Sequence, residues 1–409
     1  MSKEDEINLS DNDLNEGTLI IGKEKSGKTD TIIKPLLLHL LKEKSNGENM
    51  SITVIDSGGE INDFVQKVTE KLNLSYRKLD ITNDNESYNL IEGDTEAVIL
   101  RLNNILKHHF NEQDRFFATI HEVIIKHTVS ILKGLHENNI NIFDILSVLK
   151  NKKLFKEKIE MYKVMFGKNE SIHFLEDELF GTMQGKYDQF TFNIIAMLEE
   201  LENNDTVKNI FGKQTTIDLA SHITNGGLLT IETNNTFSGK VLGTSVLMEL
   251  QKLLLTTENN IPHYIIIDKA HYYINSDTDV FLDLSRKYNI SNIYAINNLS
   301  NIDIEMLNCR SHEMKRAVLS NMKNKIIFVE GLSDEDAIEL IPLLDYGKVT
   351  IKEKKLFRTK EKEHYLDINN IHFHPKFTFI HHLMKNGEME KVGIGLGRSV
   401  PEKWNWREK

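Results

Sequence analysis

The sequence has little of what marks secreted and membrane proteins. Its single cysteine, Cys309, excludes an intrachain disulfide and a thiolate metal cluster, which fits a reducing compartment. It contains no run of about 18 consecutive apolar residues, the length that a membrane-spanning helix requires. Its first residues, MSKEDEINLSDNDLNE, are acidic where a signal peptide is basic and then apolar. We therefore expect a cytoplasmic protein without a transmembrane segment of its own.

Positive charge is also scarce, because 50 Lys and Arg stand against 61 Asp and Glu and leave a formal net charge of −11. This excludes a surface that is basic throughout, so a nucleic-acid partner would need a local groove or pore lined with Lys and Arg. At 409 residues with 40% hydrophobic content, the chain is long enough to bury a large core. It can form one large domain with an insertion, or two domains.

The strongest motif lies close to the start of the chain, in GTLIIGKEKSGKTDTIIKPLLLHLLKE. Here an apolar strand precedes a glycine-rich loop that matches G-x-x-x-x-G-K-[ST] in full, and an amphipathic helix follows it. In such a loop, backbone N–H groups at a helix N-terminus surround phosphate oxygens. Lys28 would reach the β- and γ-phosphates, and Thr29 would supply a hydroxyl to Mg²⁺. We predict a site for ATP and Mg²⁺ formed by Gly22, Lys23, Glu24, Lys25, Ser26, Gly27, Lys28, Thr29 and Asp30.

Strands and helices alternate after this loop, which predicts a parallel sheet with helices on both faces. SITVID ends in Asp56 and is followed by the helix INDFVQKVTEKLNL and the strand SYRKLDI. Further along the chain, HYIIID is a buried strand that ends in Asp268. Ligands bind at the carboxyl ends of parallel strands, where the loop and both aspartates fall. Asp56 and Glu60 have a second interpretation, because either could cap the following helix.

Helical periodicity replaces this alternation in DTEAVILRLNNILKHHF, RFFATIHEVIIKHTVSILKGLH and NIFDILSVLKN. The strand pattern returns in GGLLTIETN, NISNIYAINN and NKIIFVEG. We therefore predict a disordered N-terminus at residues 1–16, a nucleotide-binding domain at residues 17–93 and 205–350, an all-helical insertion domain at residues 94–204, and a C-terminal extension at residues 351–409.

The order of these segments resembles that of a known family. VIDSGGEI has an aspartate, a small turn and a glutamate after the second strand, and ESYNLIEG resembles a Ser/Tyr-Asn-Pro-Leu stretch with Leu90 in place of proline. GGLLTIETNN, YIIIDKAH and LSRKYNISNIYAINNLSNI follow in the family's order. Over most of residues 17–345, the chain resembles the conjugative coupling proteins of type IV secretion. These form the TraG/TraD-like branch of the FtsK/HerA superfamily of P-loop ATPases.

This resemblance implies an α/β fold with a RecA-like P-loop NTPase core, a mainly parallel sheet and an all-helical insertion domain. It implies a motor subunit that moves DNA, double- or single-stranded, or a DNA–protein substrate through the pore of a homo-oligomeric ring, a hexamer. The partners that it implies are relaxase and secretion-channel proteins. Family members commonly carry an N-terminal membrane anchor. Recruitment of this protein to the inner face of the membrane would have to come from a partner.

The resemblance also assigns four catalytic positions: Lys28, Asp268, Asn297 and Arg286. Asp268 would hold Mg²⁺ through water, together with Thr29. Asn297 stands where the family usually has a glutamine that senses the γ-phosphate. Arg286 stands in the helix after the Walker B strand, where the family places an arginine near a subunit boundary, so it is a candidate arginine finger. The alternative is a solvated or ion-paired surface arginine.

One position departs from the family in a way that bears on chemistry, because Lys269 occupies the place of the Walker B glutamate. A charged ammonium cannot accept a proton from the attacking water. We expect slow hydrolysis, unless Glu60, Glu232 or a carboxylate of a neighbouring subunit acts instead. Alternatively, Lys269 points away and pairs with an acidic neighbour. Two other functions stay open: a phage or plasmid DNA packaging or segregation ATPase, and a degenerate nucleotide-binding scaffold, which Lys269 and Asn297 favour.

Two further patterns predict no site. NIHFHPKFTFIHH contains four histidines but no cysteine or patterned carboxylate nearby, so strand spacing and chance explain it better than a metal does. GIGLGR has the glycine spacing of a dinucleotide motif but lacks the βαβ frame that such a motif requires.

Overall fold

The computed structural model describes residues 10–110, 115–136, 140–258, 261–305, 311–344, 349–354, 357–362 and 376–400. Its strands, numbered along the chain, are β1 (Thr18–Ile21), β2 (Ser51–Asp56), β3 (Arg77–Asp80), β4 (Leu228–Glu232), β5 (His263–Ile267), β6 (Ile290–Ile296), β7 (Asn324–Phe328), β8 (Val349–Lys354), β9 (Phe357–Lys362), β10 (Thr378–His382), β11 (Met384–Lys385), β12 (Glu388–Met389) and β13 (Gly393–Leu396).

The helices lie before and between these strands in the order of the chain. They are α1 (Asp11–Leu14), α2 (Lys34–Ser45), α3 (Glu60–Leu72), α4 (Thr95–Phe110), α5 (Arg115–His136), α6 (Ile142–Lys150), α7 (Lys152–Phe166), α8 (Glu170–His173), α9 (Tyr187–Glu202), α10 (Asp205–Gly212), α11 (Leu219–Thr224), α12 (Phe237–Thr256), α13 (Thr278–Ser285), α14 (Ser300–Glu305), α15 (Ser311–Asn321) and α16 (Asp334–Leu344). Within the described ranges, none of these helices combines the length and the apolar character needed to span a membrane.

Nine strands form one sheet, in the order β13-β10-β7-β1-β6-β5-β2-β4-β3. The strands from β7 to β3 in this order are parallel, and β10 and β13 are antiparallel additions beside β7. Because the central strands are parallel, the residues that follow β1, β2, β5 and β6 all lie at one edge of the sheet. The predicted α/β fold with a mainly parallel sheet is confirmed.

The central strands are buried along their whole length because both faces of the sheet are covered. Every residue of β1, β2, β5, β6 and β7 is buried. Successive side chains of a strand point to opposite faces. Leu19 and Ile21 of β1 therefore pack on the face covered by α12, whereas Ile20 packs with α2 and α3 on the other face. This two-sided burial explains the continuous Ile and Val runs of the sequence.

The helices from α4 to α9 lie within the predicted all-helical segment of residues 94–204, and α10 and α11 follow it before β4. Apolar side chains of these helices, such as Leu102, Ile124 and Phe211, belong to one continuous cluster with Ile55 of the sheet and Val246 of α12. The helical segment thus shares its apolar core with one face of the sheet. Its boundaries as a separate domain stay a prediction.

The segment before β1 differs from its prediction as a disordered stretch of residues 1–16. Residues 1–9 lie outside the described part of the chain, but the prediction is wrong for the residues that follow. They form α1, in which Leu14 is 2% exposed, and the buried Glu16 makes ion pairs with two basic side chains. The buried side chain of Leu14 and the ion pairs of Glu16 thus hold this polar segment against the sheet.

The side-chain amide of Asn324 contacts both the segment before β1 and the segment after β10. Asn324, at the start of β7, donates from Nδ2 to the backbone oxygen of Asp13 at 2.7 Å. Its Oδ1 accepts a hydrogen bond from the backbone N–H of Met384, also at 2.7 Å. The segment before β1 and the segment after β10 are therefore fixed to the same buried side chain.

The segment predicted as a C-terminal extension contributes β10 and β13 to the main sheet. The glycines of GIGLGR allow close packing there. A Cβ on Gly395 would lie 2.5 Å from the ring of Phe379, and a Cβ on Gly397 would lie 2.5 Å from Thr31 Oγ1. Close approach to β10 and to the helix after β1 thus accounts for the glycine pattern, which needs no dinucleotide.

A pair of buried histidines lies on either side of Thr53 in β2. Thr53 Oγ1 is 2.8 Å from Nε2 of His222 and 3.0 Å from Nε2 of His263. Burial, with a smaller contribution from Lys44, lowers the pKa of His222 to about 4. Burial also lowers the pKa of His263 well below its usual value. Both rings are therefore neutral in the folded protein at neutral pH.

We expect the free energy of unfolding to fall as the pH decreases from about 6.5 to about 4, because in that window the unfolded chain binds a proton that folded His222 excludes. The variant His222→Gln should flatten this dependence by up to about 1.4 kcal/mol per pH unit. Urea unfolding across the window measures the effect. His39→Gln, at an exposed position, is the control. The same slope in His222→Gln and in the parent protein would contradict the prediction.

Candidate nucleotide-binding site

The glycine-rich loop, Gly22–Lys28, connects β1 to a helix that opens with a wide, π-helical turn. This turn spans Thr29–Ile33, and α2 continues from it. The N–H of Lys34 bonds to the backbone oxygen of Thr29, five residues earlier. Pro35 has no N–H with which to continue an α-helical ladder, which fits the widened turn. The helix N-terminus therefore lies directly at the loop, at the carboxyl edge of the sheet.

Two glycines set the tight path of this loop. A Cβ on Gly22 would lie 2.6 Å from Ser26 Oγ and 2.7 Å from Phe328 Cβ. Gly27 has a φ of +103°, a conformation that side chains rarely adopt. Ser26 Oγ is buried and has no hydrogen-bond partner in the described part of the chain. A tight loop with a spare hydroxyl at a helix N-terminus fits a phosphate group.

The ammonium group of Lys28 lies at the centre of the loop. It donates to the backbone oxygen of Gly22, to that of Lys23 at 2.9 Å, and to Oδ1 of Asn297 at 3.1 Å. Burial lowers the pKa of Lys28 to about 8, while the carboxylate of Asp268 opposes this shift. The amine therefore stays largely protonated at neutral pH. The tip of β6, through Asn297, lies within hydrogen-bond reach of the loop.

Asp268 follows β5 at the same edge of the sheet. Its backbone N–H bonds to the oxygen of Ile55 at 2.9 Å, and its Oδ2 accepts a hydrogen bond from Ser57 Oγ at 3.4 Å. Burial raises the pKa of Asp268, while Lys28 and Lys269 oppose the rise. A carboxylate beside a phosphate-binding loop supplies the oxygen ligand that Mg²⁺ prefers.

Lys269 adopts a left-handed backbone conformation, with a φ of +51°, directly after Asp268. Its ammonium lies 3.5 Å from Oε1 of Glu24. The lysine thus pairs with an acidic neighbour, as one sequence interpretation required, but that neighbour belongs to the glycine-rich loop itself. Its charge also helps to lower the pKa of Lys28. The position after the aspartate therefore brings positive charge to the site and no proton acceptor.

Asp56, at the end of β2, has its carboxylate occupied by backbone donors. It accepts hydrogen bonds from the N–H groups of Gly58, Ile61 and Asn62, at 2.9, 2.8 and 3.1 Å. Burial raises the pKa of Asp56, and these bonds oppose the rise. Of the two interpretations of Asp56, the structure favours a cap at the N-terminus of α3.

Two glutamates that could replace the missing Walker B carboxylate are held in ion pairs. Glu60 lies 2.6 Å from the ammonium of Lys34. Glu232, at the end of β4, lies 2.6 Å from the ammonium of Lys78. The same lysine lies 3.0 Å from Asp80 at the end of β3. Within this chain, each of these glutamates would have to break its ion pair with a lysine before it could accept a proton from an attacking water.

The remaining residues of the predicted loop make contacts at its rim. Lys23 lies 3.4 Å from a carboxylate oxygen of Glu330, and Asp30 lies 2.6 Å from the ammonium of Lys34. Lys25 is exposed and has a φ of +63°. Their side chains lie at the outside of the loop.

Arg286 lies away from the loop of its own chain. It is in the turn before β6, and therefore at the edge of the sheet opposite to the carboxyl ends. Its guanidinium is 2.8 Å from Oε1 of Glu16, and the ammonium of Lys323 is 2.7 Å from Oε2 of the same carboxylate. An arginine finger at this position would act on a neighbouring subunit, and that role stays a prediction.

Sequence reasoning does not find two polar residues beside Asp268. Ser57 contacts its carboxylate, as described above. His271 is 2% exposed, with Nε2 at 3.5 Å from the side-chain nitrogen of Asn301. Burial, together with nearby lysines, lowers the pKa of His271 to about 3, so the ring is neutral. The sequence indicates these two residues only by their positions shortly after Asp56 and Asp268, in IDSGG and IIIDKAH.

Solved structures share this architecture over nearly the whole chain. The bacterial conjugative coupling protein TrwB, in its trigonal form with sulphate, aligns over 94% of this chain and 86% of its own, with a TM-score of 0.68 and 11% identity. The fold is that of the conjugative coupling proteins. TrwB in complex with ADP and Mg²⁺ aligns over 96% of this chain and 86% of its own, with a TM-score of 0.64 and 12% identity.

VirB4 of Thermoanaerobacter pseudethanolicus is also similar, over 95% of this chain and 90% of its own, with a TM-score of 0.57 and 12% identity. No protein-family model and no curated protein sequence matches the chain. At this identity, the likeness to TrwB and VirB4 concerns the fold alone. The resemblance read from the sequence is confirmed at that level, with its RecA-like core and helical insertion.

We expect Asp56→Ala to lower the free energy of unfolding by about 2 kcal/mol, because three backbone N–H groups at a helix N-terminus lose their acceptor. Denaturant unfolding measures this loss. Asp63→Ala, at an exposed position of the same helix, serves as the control and should change stability little. Unchanged stability of Asp56→Ala together with lost ATP turnover would instead assign Asp56 to the chemistry.

Proposed function

We propose that this protein binds ATP with Mg²⁺ and works as a motor subunit in conjugative transfer, moving DNA or a DNA–protein substrate. The observation that carries the proposal is the convergence of Lys28, Asp268 and Asn297 at the carboxyl edge of β1, β5 and β6. A nucleotide-driven motor needs a phosphate-binding loop, a carboxylate for the metal and a polar residue beside the terminal phosphate at a single site.

The coupling-protein structures support the choice of ligand. TrwB was solved with ADP and Mg²⁺, with a non-hydrolysable ATP analogue and with a non-hydrolysable GTP analogue. In this chain, the loop N–H groups and Lys28 would hold the phosphates, and Thr29 and Asp268 would hold the metal. Mg²⁺, when bound, supplies positive charge that neutralises the terminal phosphates.

Hydrolysis would be slow in a single subunit. Asn297 can position a water or a phosphate oxygen through its amide, but it cannot remove a proton. Lys269 is cationic, and Glu60 and Glu232 are paired with lysines. A carboxylate of a neighbouring subunit is the remaining source of a base, so turnover would depend on assembly.

The resemblance to coupling proteins supports the proposal that the subunits assemble into a homo-oligomeric ring, a hexamer. With a net charge of −11, the pore of such a ring is where positive potential for DNA would be concentrated. Arg286, whose side chain is 67% exposed, would face the neighbouring subunit. Relaxase and secretion-channel proteins would be the further partners, and one of them would recruit this cytoplasmic protein to the inner face of the membrane.

One observation favours a second candidate function, a nucleotide-binding scaffold. The cation of Lys269 lies beside Glu24 and Asp268, where it favours bound phosphate but cannot accept the proton of an attacking water. In that case ATP would hold the assembly together without cyclic hydrolysis. The two functions differ in the response of ATP turnover to DNA.

We expect ATP turnover by the purified oligomer to rise when double-stranded DNA is added, because a translocating motor couples hydrolysis to its substrate. Lys28→Ala should abolish both turnover and calorimetric ATP binding, since it removes the cation at the centre of the loop. Lys67→Ala, at an exposed position on α3, is the control. Equal ATP affinity in Lys28→Ala and the parent would refute nucleotide binding at this loop. ATP binding with turnover indifferent to DNA would favour the scaffold.

We expect Lys269→Glu to raise the single-turnover hydrolysis rate at least about tenfold, because it restores a proton acceptor beside Asp268 and removes a competing cation. The gain should stay below the roughly 10²- to 10⁴-fold value of a fully positioned base, since Asn297 still replaces glutamine. Lys67→Glu makes the same charge change away from the site and should leave the rate unchanged. No gain, with an already fast parent, would show that another carboxylate serves as the base.

A further inference from the structure

An exposed aromatic residue lies beside the glycine-rich loop on the side away from Asp268. Phe377 directly precedes β10 and is 40% exposed. Because β10 is antiparallel to β7, its first residues lie at the carboxyl edge of the sheet, next to the loop after β1. A residue that is far from the loop in sequence is thus its neighbour in the fold.

The ring of Phe377 rests against the loop itself. A Cβ on Gly27 would lie 2.5 Å from Cδ1 and 3.2 Å from Cε1 of this ring. The same Cβ would lie 3.4 Å from Cε1 of Phe328, which is fully buried. The missing side chain of Gly27 therefore leaves room for both aromatic rings, of which Phe377 is exposed and Phe328 is buried.

The backbone of Phe377 is held in an unfavourable conformation. Its φ is +64°, in the left-handed region that bulky residues rarely adopt. Two hydrogen bonds fix the surrounding chain: the N–H of Gly397 donates to the oxygen of Phe377 at 2.9 Å, and the N–H of Val329 donates to the oxygen of Thr378 at 3.1 Å. Glycine would satisfy this backbone without strain. Strained residues of this kind concentrate at ligand-binding sites, where the surroundings hold them in place.

The direction of a bound nucleotide follows from the sheet order. Lys28, Asn297 and Asp268, which would attend the terminal phosphates, lie toward β6 and β5. The nucleoside end must then extend to the opposite side of the loop, toward β7 and β10. Phe377 lies on that side, in contact with Gly27.

We propose that Phe377 is the platform on which the base of the nucleotide stacks. This rests on the nucleotide binding proposed above and adds the part of the site that recognises the base. The exposed ring offers an apolar π-face, and stacking on such a face tolerates different bases. The proposed ligand class is therefore nucleoside triphosphates, with little discrimination between bases by this contact.

The test compares ATP with inorganic triphosphate, which has no base, by calorimetry on the full chain. Phe377→Ala should weaken ATP binding by about 5- to 150-fold, the usual range for loss of one stacked base, and should leave triphosphate binding unchanged. Phe377→Tyr keeps the ring and should retain ATP affinity. Phe192→Ala, at a residue that is 67% exposed on α9, is the matched control and should change neither affinity.

A further variant separates stacking from folding. Phe377→Gly removes the ring but suits the left-handed backbone, so it should melt at a higher temperature than Phe377→Ala and bind ATP as weakly. Full ATP affinity in Phe377→Gly would overturn the proposal, since the ring would then be dispensable. Equal losses for ATP and triphosphate in Phe377→Ala would also overturn it, because the ring would only shape the loop. A parent that binds neither ligand would refute the proposed function, and the platform with it.

Discussion

The buried ammonium of Lys28 holds the site together. A cation removed from water is costly unless it is fully hydrogen-bonded, and this one has the oxygens of Gly22, Lys23 and Asn297 as acceptors. These acceptors come from the loop after β1 and from the tip of β6, so the lysine ties the loop to its neighbouring strand. The rest of the edge is arranged around that charge. The carboxylate of Asp268 opposes the lowering of the Lys28 pKa by burial. The ammonium of Lys269 adds a second positive charge, which is paired with Glu24.

The carboxylates at this edge of the sheet differ in whether they already have a partner. The carboxylate of Asp56 caps a helix, and that of Glu232 forms an ion pair with a lysine. Both contacts stabilise the fold. Asp268 is left as the acid beside the loop that is free to meet a metal. Phosphate binding requires positive charge and N–H donors, whereas hydrolysis also requires a base at one defined point. The described residues supply positive charge and N–H donors at the loop, and the described glutamates near it are paired with lysines.

The parts of this fold that the sequence predicts are those encoded locally. The loop, the buried strands and the long helices each carry their signal within one short segment, and all are present. The residues that it does not predict depend on partners distant in the chain. Nothing near Glu16 indicates that it meets Arg286, so the first residues read as disordered. Nothing near Phe377 indicates Gly27, and the glycines of GIGLGR can be understood only once β13 lies on β10.

The pairing of β1 has a consequence for how the protein is made. The strand that carries the glycine-rich loop is made well before both of its neighbours in the sheet. Thr18 pairs with Ile293 on one side and with Asn324 on the other. Such non-local pairing is slow to form and cannot begin before the partners are synthesised. The nascent strand therefore stays unpaired, and its loop without Asn297, until β6 and β7 have been made. A chaperone that shields this apolar strand would act in that interval.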